Sequence, residues 1–148
     1  MTESVKAEAV YLSAHCDTPV EIFTPDDVDK MIDDLIFTKS PYGPSGTLAQ
    51  VFSTERERLE GGHFDHELIV GVDGDTGFGV LTFMDEHGNF ATVGSPDTRE
   101  EPIYTLVRHM RELPEHCEIP LEIVRAAAKE FIATGGQRPT CVEWKPEW

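Results

Sequence analysis

The sequence predicts an α+β fold, a mostly antiparallel β-sheet with two main α-helices packed on it, in a single domain spanning residues 1–148. Three observations favour this class. Most apolar segments are short, alternate with polar residues and end at turn-forming residues, which is typical of strands. Only two stretches repeat their apolar residues with the helical period, and helices do not alternate regularly with strands as in a parallel sheet. The length is enough for one buried core.

The N-terminal quarter predicts two short strands and the first helix. Residues 7–12 and 20–23 have strand character, and residues 17–19 form the turn between them. Thr24 suits a helix N-cap and Pro25 suits the first helical position, where its missing N–H loses no bond. The apolar face predicted to be buried consists of Val28, Met31, Ile32, Leu35 and Ile36. The face predicted to lie towards solvent consists of Asp26, Asp29, Lys30, Asp33 and Asp34.

The middle of the chain predicts a loop followed by antiparallel strands. Residues 39–46 contain two prolines and two glycines and form the loop, residues 47–53 form a strand, and the charged residues 54–62 form an exposed connection. A meander follows, with strands at residues 67–72, 77–84 and 89–93 and tight turns at residues 73–76 and 85–88. A further strand is expected at residues 103–107.

The C-terminal segment predicts a helix, a stop and a last strand. Pro120 is placed at the first helical position, and Gly135 and Gly136 supply a left-handed C-cap because no Cβ opposes a positive φ there. Residues 141–144 alternate like a strand, and Trp144 is expected in the core. The apolar stripe of the helix consists of Val124, Ala127, Ala128, Phe131 and Ile132.

The charge balance restricts the possible partners. The chain has 28 Asp and Glu against 12 Lys and Arg, a formal charge of −16. Such a field repels nucleic acid and acidic lipid surfaces, and it attracts basic partners and speeds their capture. An acidic surface that serves only solubility is the alternative.

The remaining composition predicts a cytoplasmic protein without a membrane anchor. No apolar run approaches the ~20 residues of a membrane span, and the first residues lack the basic and apolar regions of a signal peptide. The three cysteines, Cys16, Cys117 and Cys141, are odd in number and have no framework spacing, which is typical of a reducing compartment.

Residues 63–67 form the best candidate for a catalytic or metal site. In a strand, His63, Asp65 and Glu67 would share one face and His66 would point away. The segment offers no helical histidine pair of the H-E-x-x-H type, so polar residues beside a glycine loop are the preferred interpretation. A small metal-dependent enzyme using His63 to Glu67 stays open as an alternative.

Other catalytic patterns in the chain are incomplete. Residues 73–77 begin like a calcium loop, but Phe78 and Met84 stand where a glycine and a bidentate glutamate are required. Ser45 lacks the strand-to-helix elbow of a hydrolase nucleophile, and Cys16 and Cys117 each merely follow a histidine in sequence. The zinc-deaminase signature, H-x-E followed by P-C-x-x-C, is absent. No catalytic residue, metal or cofactor is therefore predicted.

The second half of the chain has a set of residues in a fixed order: Tyr104, Pro114, Ile119, Pro120, Ala127, Phe131, Thr134, Gly135, Arg138, Pro139, Val142 and Trp144. With these residues, it resembles the first-numbered family of bacterial immunity proteins from polymorphic-toxin systems. The middle strand pair, residues 68–77 and 79–81, is also similar to that family. Two departures are a longer link at residues 135–137 and a strand at residues 82–84 without a tryptophan.

The resemblance implies an immunity protein that binds a cognate secreted toxin domain and blocks its active site. The family is paired with nucleic-acid deaminase toxins, so the partner is expected to have a basic substrate groove, without direct binding of nucleic acid by this chain. A generic acidic adaptor is the remaining alternative. Trp148 is interpreted as either a frayed end or an interface anchor. The predicted contacts are exposed carboxylates at hairpin ends and in the loop before Pro102: Asp73, Asp75, Asp85, Glu86, Glu100 and Glu101.

Overall fold

A computed structural model describes residues 4–38 and 46–147. The interpretations of Ser45 and Trp148, and most of the predicted loop 39–46, lie outside the described residues. The two helices are α1, Pro25–Phe37, and α2, Leu121–Ala133, and a short 3₁₀ turn covers Ser13–Cys16. The strands are β1 Ala7–Val10, β2 Val20–Ile22, β3 Gly46–Ser53, β4 Glu67–Asp73, β5 Phe78–Asp85, β6 Gly88–Thr92, β7 Ile103–Leu106, β8 His109–Glu112, β9 Ile119–Pro120 and β10 Trp144–Pro146.

All described strands belong to one mostly antiparallel sheet, so the α+β prediction is confirmed. The strands follow the order β10-β6-β5-β4-β3-β1-β2, in which β4 to β6 form the predicted meander and β3 pairs antiparallel with β4. Strand β7 departs from the antiparallel pattern, because it pairs parallel with the start of β3 at Gly46 and Thr47. Strand β8 pairs with β7, and β9 pairs with the start of β5.

Helix α1 begins as its sequence predicts. The Thr24 hydroxyl accepts a hydrogen bond from the backbone N–H of Asp27 at 3.3 Å, and the Asp27 carboxylate accepts from the N–H groups of Phe23 and Thr24 at 2.8 and 3.1 Å. This reciprocal arrangement satisfies backbone donors that a helix start leaves unpaired. Of the predicted apolar face, Val28, Met31, Ile32 and Leu35 are buried, and Ile36 is half-buried.

Helix α2 begins one residue later than predicted. Pro120 is the N-cap, with extended angles φ −58° and ψ 145°, because it pairs with Phe78 in the short strand β9. The predicted stop is confirmed, since Gly135 and Gly136 have φ values of 70° and 96°. The N–H of Gly136 donates to the carbonyl of Phe131 at 2.9 Å, which satisfies one of the last carbonyls of the helix.

The final strand is displaced from its predicted position. Strand β10 covers Trp144–Pro146 instead of residues 141–144, and it pairs with β6 at the edge of the sheet. Trp144 packs against Phe83, with ring centroids 6.3 Å apart, but stays half-buried. Its indole N–H donates to the carbonyl of Pro139 at 2.8 Å, so the polar atom of the ring is satisfied.

The sheet is covered on both faces by different means. The two helices pack on one face and close the larger core, which includes Phe83 and Phe131. On the other face a smaller core forms around the fully buried Tyr104 and includes Leu113. The β7–β8 hairpin and the segment that follows it contribute to this second core, and they also create the site described next. No helix among residues 4–38 and 46–147 is long and apolar enough to cross a membrane.

Candidate partner-binding site

A concave surface, here called the acidic groove, lies between the β7–β8 hairpin and the C-terminal strand β10. Its volume is about 550 Å³. A second concavity of about 440 Å³, at the β5–β6 turn, shares Pro146 and Glu147 with it. The acidic groove is lined by Glu100, Glu101, Ile103, Glu112, Leu113, Pro114, Glu115, Lys145, Pro146 and Glu147.

Strand pairing brings together groove residues that are distant in the sequence. Ile103 in β7 lies directly opposite Glu112 in β8, so their side chains share one face of the hairpin. The N–H of Leu113 donates to the carbonyl of Pro102 at 3.0 Å and holds the base of the hairpin closed. On the other wall, the N–H of Glu147 donates to the carbonyl of Asn89 at 2.9 Å and extends the β10–β6 pairing.

The charges of the groove are largely uncompensated within the described residues. Glu147 is 7% exposed and pairs with Arg111 at 2.5 Å. The ammonium group of Lys145 donates a hydrogen bond to the backbone carbonyl of Glu115 and not to a carboxylate. The carboxylates that pair with no described cation are those of Glu100, Glu101, Glu112 and Glu115. The groove therefore presents negative charge to whatever approaches it.

A set of charged and polar side chains, here called the anchoring network, fixes the loop that carries Glu100 and Glu101; its members are buried except for Arg99, whose side chain is 42% exposed. Arg99 donates from Nε and Nη2 to the two oxygens of Glu118 at 2.8 and 2.6 Å, and Nη2 also reaches Asp73 at 3.1 Å. The Tyr104 hydroxyl donates to Glu118 at 2.5 Å. The network thus consists of Arg99, Glu118, Asp73 and Tyr104.

The protonation states of the network follow from these contacts. Hydrogen bonding to Glu118 raises the pKa of the Arg99 guanidinium, so it stays charged. Burial, and then the hydrogen bond to Glu118, raise the pKa of the Tyr104 hydroxyl, which therefore remains a donor. Both Tyr104 and Glu118 are at most 2% exposed. A carboxylate buried to this extent is costly unless hydrogen-bond donors compensate it, and Arg99 and Tyr104 supply those donors to Glu118.

Backbone contacts clamp the same loop on its other side. The N–H of His116 donates to the carbonyl of Arg99 at 2.9 Å, and its ring Nδ1 lies 2.7 Å from the carbonyl of Thr98. The N–H of Gly94 donates to the carbonyl of His116 at 2.7 Å. A Cβ at position 94 would lie 2.0 Å from the carbonyl oxygen of Glu118, so the two segments pack this closely only because residue 94 is glycine.

The structure separates the predicted contact residues into groups. Glu100 and Glu101 are exposed and line the acidic groove. Asp85 and Glu86 are in the β5–β6 turn, beside the second concavity, where the Asp85 carboxylate accepts from the N–H of His87 at 2.9 Å and Glu86 is exposed. The β4–β5 turn with Asp75 lies at the opposite end of β5, so one flat partner surface does not reach all of these turns equally.

The expectation that Asp73 is an exposed carboxylate is wrong. It is 6% exposed, because it accepts hydrogen bonds from Arg99 and, at 3.0 Å, from the N–H of Asp75. Arg99 is 26 residues away in the sequence, so local pattern does not reveal the pairing. Asp75 itself is exposed as expected. The role of both residues in binding a partner stays a prediction.

Sequence reasoning missed three of the five glutamates that line the groove. Glu112 and Glu115 lie in and just after β8, and Glu147 follows β10. Strand β8 was not predicted, since His109–Glu112 is polar apart from one methionine and has no apolar alternation. The one available signal was the repetition of glutamates around Leu113 and Pro114, which indicates an exposed segment and not its location.

The candidate metal cluster at residues 63–67 is held in other contacts. Strand β4 begins only at Glu67, so the expectation that His63 and Asp65 share a strand face with it is wrong. His63 is exposed, and Glu67 accepts from the side chain of Gln50 at 2.9 Å. Among residues 4–38 and 46–147, no group of three or more His, Cys, Asp or Glu is arranged to hold a metal ion.

Asp65 and His66 form a structural unit instead. Asp65 pairs with Arg56 at 3.0 Å, and His66 accepts from the N–H of Ser53 through Nε2 at 2.8 Å. Nδ1 of His66, 2.9 Å from Asp65, must therefore carry the proton of the neutral ring. Burial lowers the pKa of His66, although the bond to Asp65 opposes the shift. Burial would raise the pKa of Asp65, but the bonds to Arg56 and His66 outweigh it and lower the pKa.

The cysteines form no disulfide. Cys16 and Cys141 are exposed, while Cys117 is buried beside Glu118. Burial, and then the charge of Glu118, raise the pKa of the Cys117 thiol to about 12. The thiol is therefore protonated and contributes to the second core as an apolar group.

Comparison with known proteins gives one match of high coverage. The family model described as Immunity protein Imm1 matches residues 16–146. That range includes the meander, both helices, the anchoring network and the acidic groove apart from Glu147. Comparison with curated protein sequences finds no significant match. Because the family model covers nearly the whole fold, the chain belongs to the Imm1 family of immunity proteins.

Proposed function

We propose that this protein is an antitoxin that binds a cognate secreted toxin domain and blocks its active site by protein–protein contact. The observation that carries the proposal is the Imm1 family match over residues 16–146. The charge of −16 supports it, since proteins of like acidity favour basic partners. In this proposal the protein acts in the cytoplasm and has no catalytic activity, metal or cofactor of its own.

The proposed partner is a nucleic-acid deaminase. An enzyme that acts on nucleic acid must attract phosphates, so its substrate groove is lined with lysine and arginine. An acidic protein that docks there competes with the substrate for the same cations. Direct binding of nucleic acid or of an anionic membrane by the antitoxin itself is not part of the proposal, because its own charge opposes both.

The contact surface is proposed to include the carboxylates at the predicted positions. Glu100 and Glu101 have the best support, because they are exposed on an anchored loop. Asp75 and Glu86 are exposed at the two ends of β5 and would contribute to long-range attraction. Asp73 and Asp85 would act mainly by shaping their turns.

The test combines toxin inhibition with a salt series. The probe is the purified toxin domain encoded next to this protein's gene, assayed for deaminase activity on single-stranded nucleic acid. Association is followed by stopped flow from about 0.05 to 0.5 M salt, over which the Debye length falls from about 14 to 4 Å. We expect complete inhibition at saturation and an association rate that falls steeply with salt, while the complex persists at high salt through its apolar contacts.

Two results would contradict the proposal at different points. A toxin that remains fully active at saturating antitoxin would remove the antitoxin function. An association rate that does not depend on salt would remove the electrostatic mechanism but leave the function in place.

A further inference from the structure

We infer that the acidic groove takes up an arginine side chain of the toxin and is the surface through which the antitoxin engages its partner. This inference rests on the proposed function, because it requires a toxin with a basic surface. Its evidence is separate: the charge, shape and order of one concavity in this chain.

The groove concentrates negative charge that the free protein leaves uncompensated. Some partly buried carboxylates elsewhere pair with cations, as Asp65 with Arg56 and Asp29 with Lys129. At the groove, Arg111 pairs with Glu147, and the lining residue Lys145 donates a hydrogen bond to a backbone carbonyl and not to a carboxylate. The four remaining glutamates are exposed, line one concavity of about 550 Å³ and form a patch of negative charge. A cation supplied by a partner would be attracted to this patch.

The apolar part of the lining favours arginine over lysine. Ile103 is 37% exposed, and Pro114 and Pro146 add apolar atoms beside the carboxylates. The methylene stem of an arginine packs on such a surface. Its guanidinium is weakly hydrated and presents five N–H donors in a fixed fork that matches carboxylate geometry. The volume leaves room for the loop that carries the arginine.

The groove is also ordered before any partner arrives. The anchoring network and the His116 contacts hold the loop of Glu100 and Glu101, and strand pairing holds Glu112. The loop is therefore already ordered in the free protein. Association then costs less conformational entropy than it would if the loop had to become ordered on binding.

The test compares two variants that lose the same number of charges, so that the overall field changes equally. Both are bound to the toxin domain encoded next to this protein's gene, at about 0.15 M salt, with association and dissociation rates measured separately. The groove variant combines Glu101→Gln, Glu112→Gln and Glu115→Gln. The control variant combines Asp17→Asn, Glu57→Gln and Glu60→Gln, all exposed and outside the groove.

The groove variant should raise the Kd at least about tenfold, mainly through faster dissociation, because it loses short-range charge-assisted contacts. The control variant should slow association no more than about threefold and leave dissociation unchanged. Equal effects in the two variants would overturn the groove as the docking surface and leave the antitoxin function intact. Wild-type protein that neither binds nor inhibits the toxin would overturn the proposed function itself.

Carboxylate footprinting of the wild-type protein gives a second readout that requires no variant. Carbodiimide coupling of glycine ethyl ester, read by mass spectrometry, modifies accessible carboxylates. We expect Glu101 and Glu115 to lose most of their modification in the complex, while Glu57 and Glu60 keep theirs. Groove carboxylates that stay fully modified in a formed complex would overturn the inference.

Discussion

Replacing Arg99 with methionine should destabilise the protein substantially, because the arginine compensates two buried carboxylates. It makes three hydrogen bonds, at 2.8 and 2.6 Å to Glu118 and 3.1 Å to Asp73. Methionine keeps much of the apolar stem and removes all three. Glu118 would then keep only its bond from Tyr104, and Asp73 only a backbone N–H.

The expected loss of free energy of unfolding can be bounded from these contacts. Breaking a buried ion pair by removing one partner costs about 3–5 kcal/mol. The side chain of Arg99 is 42% exposed, so water can partly replace the guanidinium, and the expected loss falls to about 2–4 kcal/mol. Arg58→Met is the matched control. Its guanidinium is 3.8 Å from Glu8 and 4.0 Å from the ring of Phe64, with 46% of the side chain exposed, and its loss should stay below about 1 kcal/mol.

The assay is urea denaturation at pH 7, followed by tryptophan fluorescence. A loss for Arg99→Met no larger than for Arg58→Met would refute the compensating role of the network. A double-mutant cycle adds a second check, since Arg99→Met and Glu118→Gln remove the same contact and their combined loss should be smaller than the sum.

Three further outcomes are expected. Phe131→Ala should lower the free energy of unfolding by about 3–5 kcal/mol, since Phe131 is fully buried, and Trp144→Ala should cost less, because that ring is half-buried; urea denaturation measures both. Asp33→Ala should lower the free energy of unfolding by less than about 1 kcal/mol, measured by the same method. Asp33 pairs with Arg125 at 2.6 Å, but its side chain is 55% exposed, so solvent weakens the pair. The lowered pKa of His66 means that the unfolded chain binds more protons as the pH falls below about 6.5. The stabilisation by neutral His66 is therefore complete above that pH and is lost below it, by at most about 1.4 kcal/mol per pH unit. Melting curves recorded from about pH 7.5 to 5 measure this loss. Stability should depend less steeply on pH in His66→Gln than in His63→Gln, the control at an exposed site.

Local physical rules were sufficient for the elements that form from neighbouring residues. The start of α1 follows from Thr24 and Pro25, and the β4–β5–β6 meander follows from alternating residues between tight turns. Their determinants lie within a few residues of each other. The one-residue error at Pro120 arose because β9 recruits it into the sheet, a tertiary contact that the helix pattern does not contain.

The candidate site could be predicted only in part, because its chemistry comes from distant segments. Glu100 and Glu101 were predicted from an exposed loop before a proline. Glu112 depends on the pairing of β7 with β8, and Glu147 on that of β10 with β6. The burial of Asp73 depends on Arg99, which reaches it across the fold. The sequence shows where the carboxylates are along the chain. It does not show which of them pair with a cation in the folded protein.

The strand order also has a kinetic consequence. Strands β3 to β6 are neighbours in both the chain and the sheet; β4, β5 and β6 are joined by tight turns, and β3 and β4 by residues 54–66. Strand β7 must reach β3, and β10 must reach β6, across long intervening segments, and such closures are slow. Because β7 pairs with β3 over two residues and β10 pairs with β6 over three, against seven for β4 with β5, the amides of β7 and β10 should also exchange with solvent sooner than those of β4 and β5 in the native protein. Since these two strands flank the acidic groove, a newly synthesised chain completes its central sheet before it completes the surface proposed to neutralise the toxin.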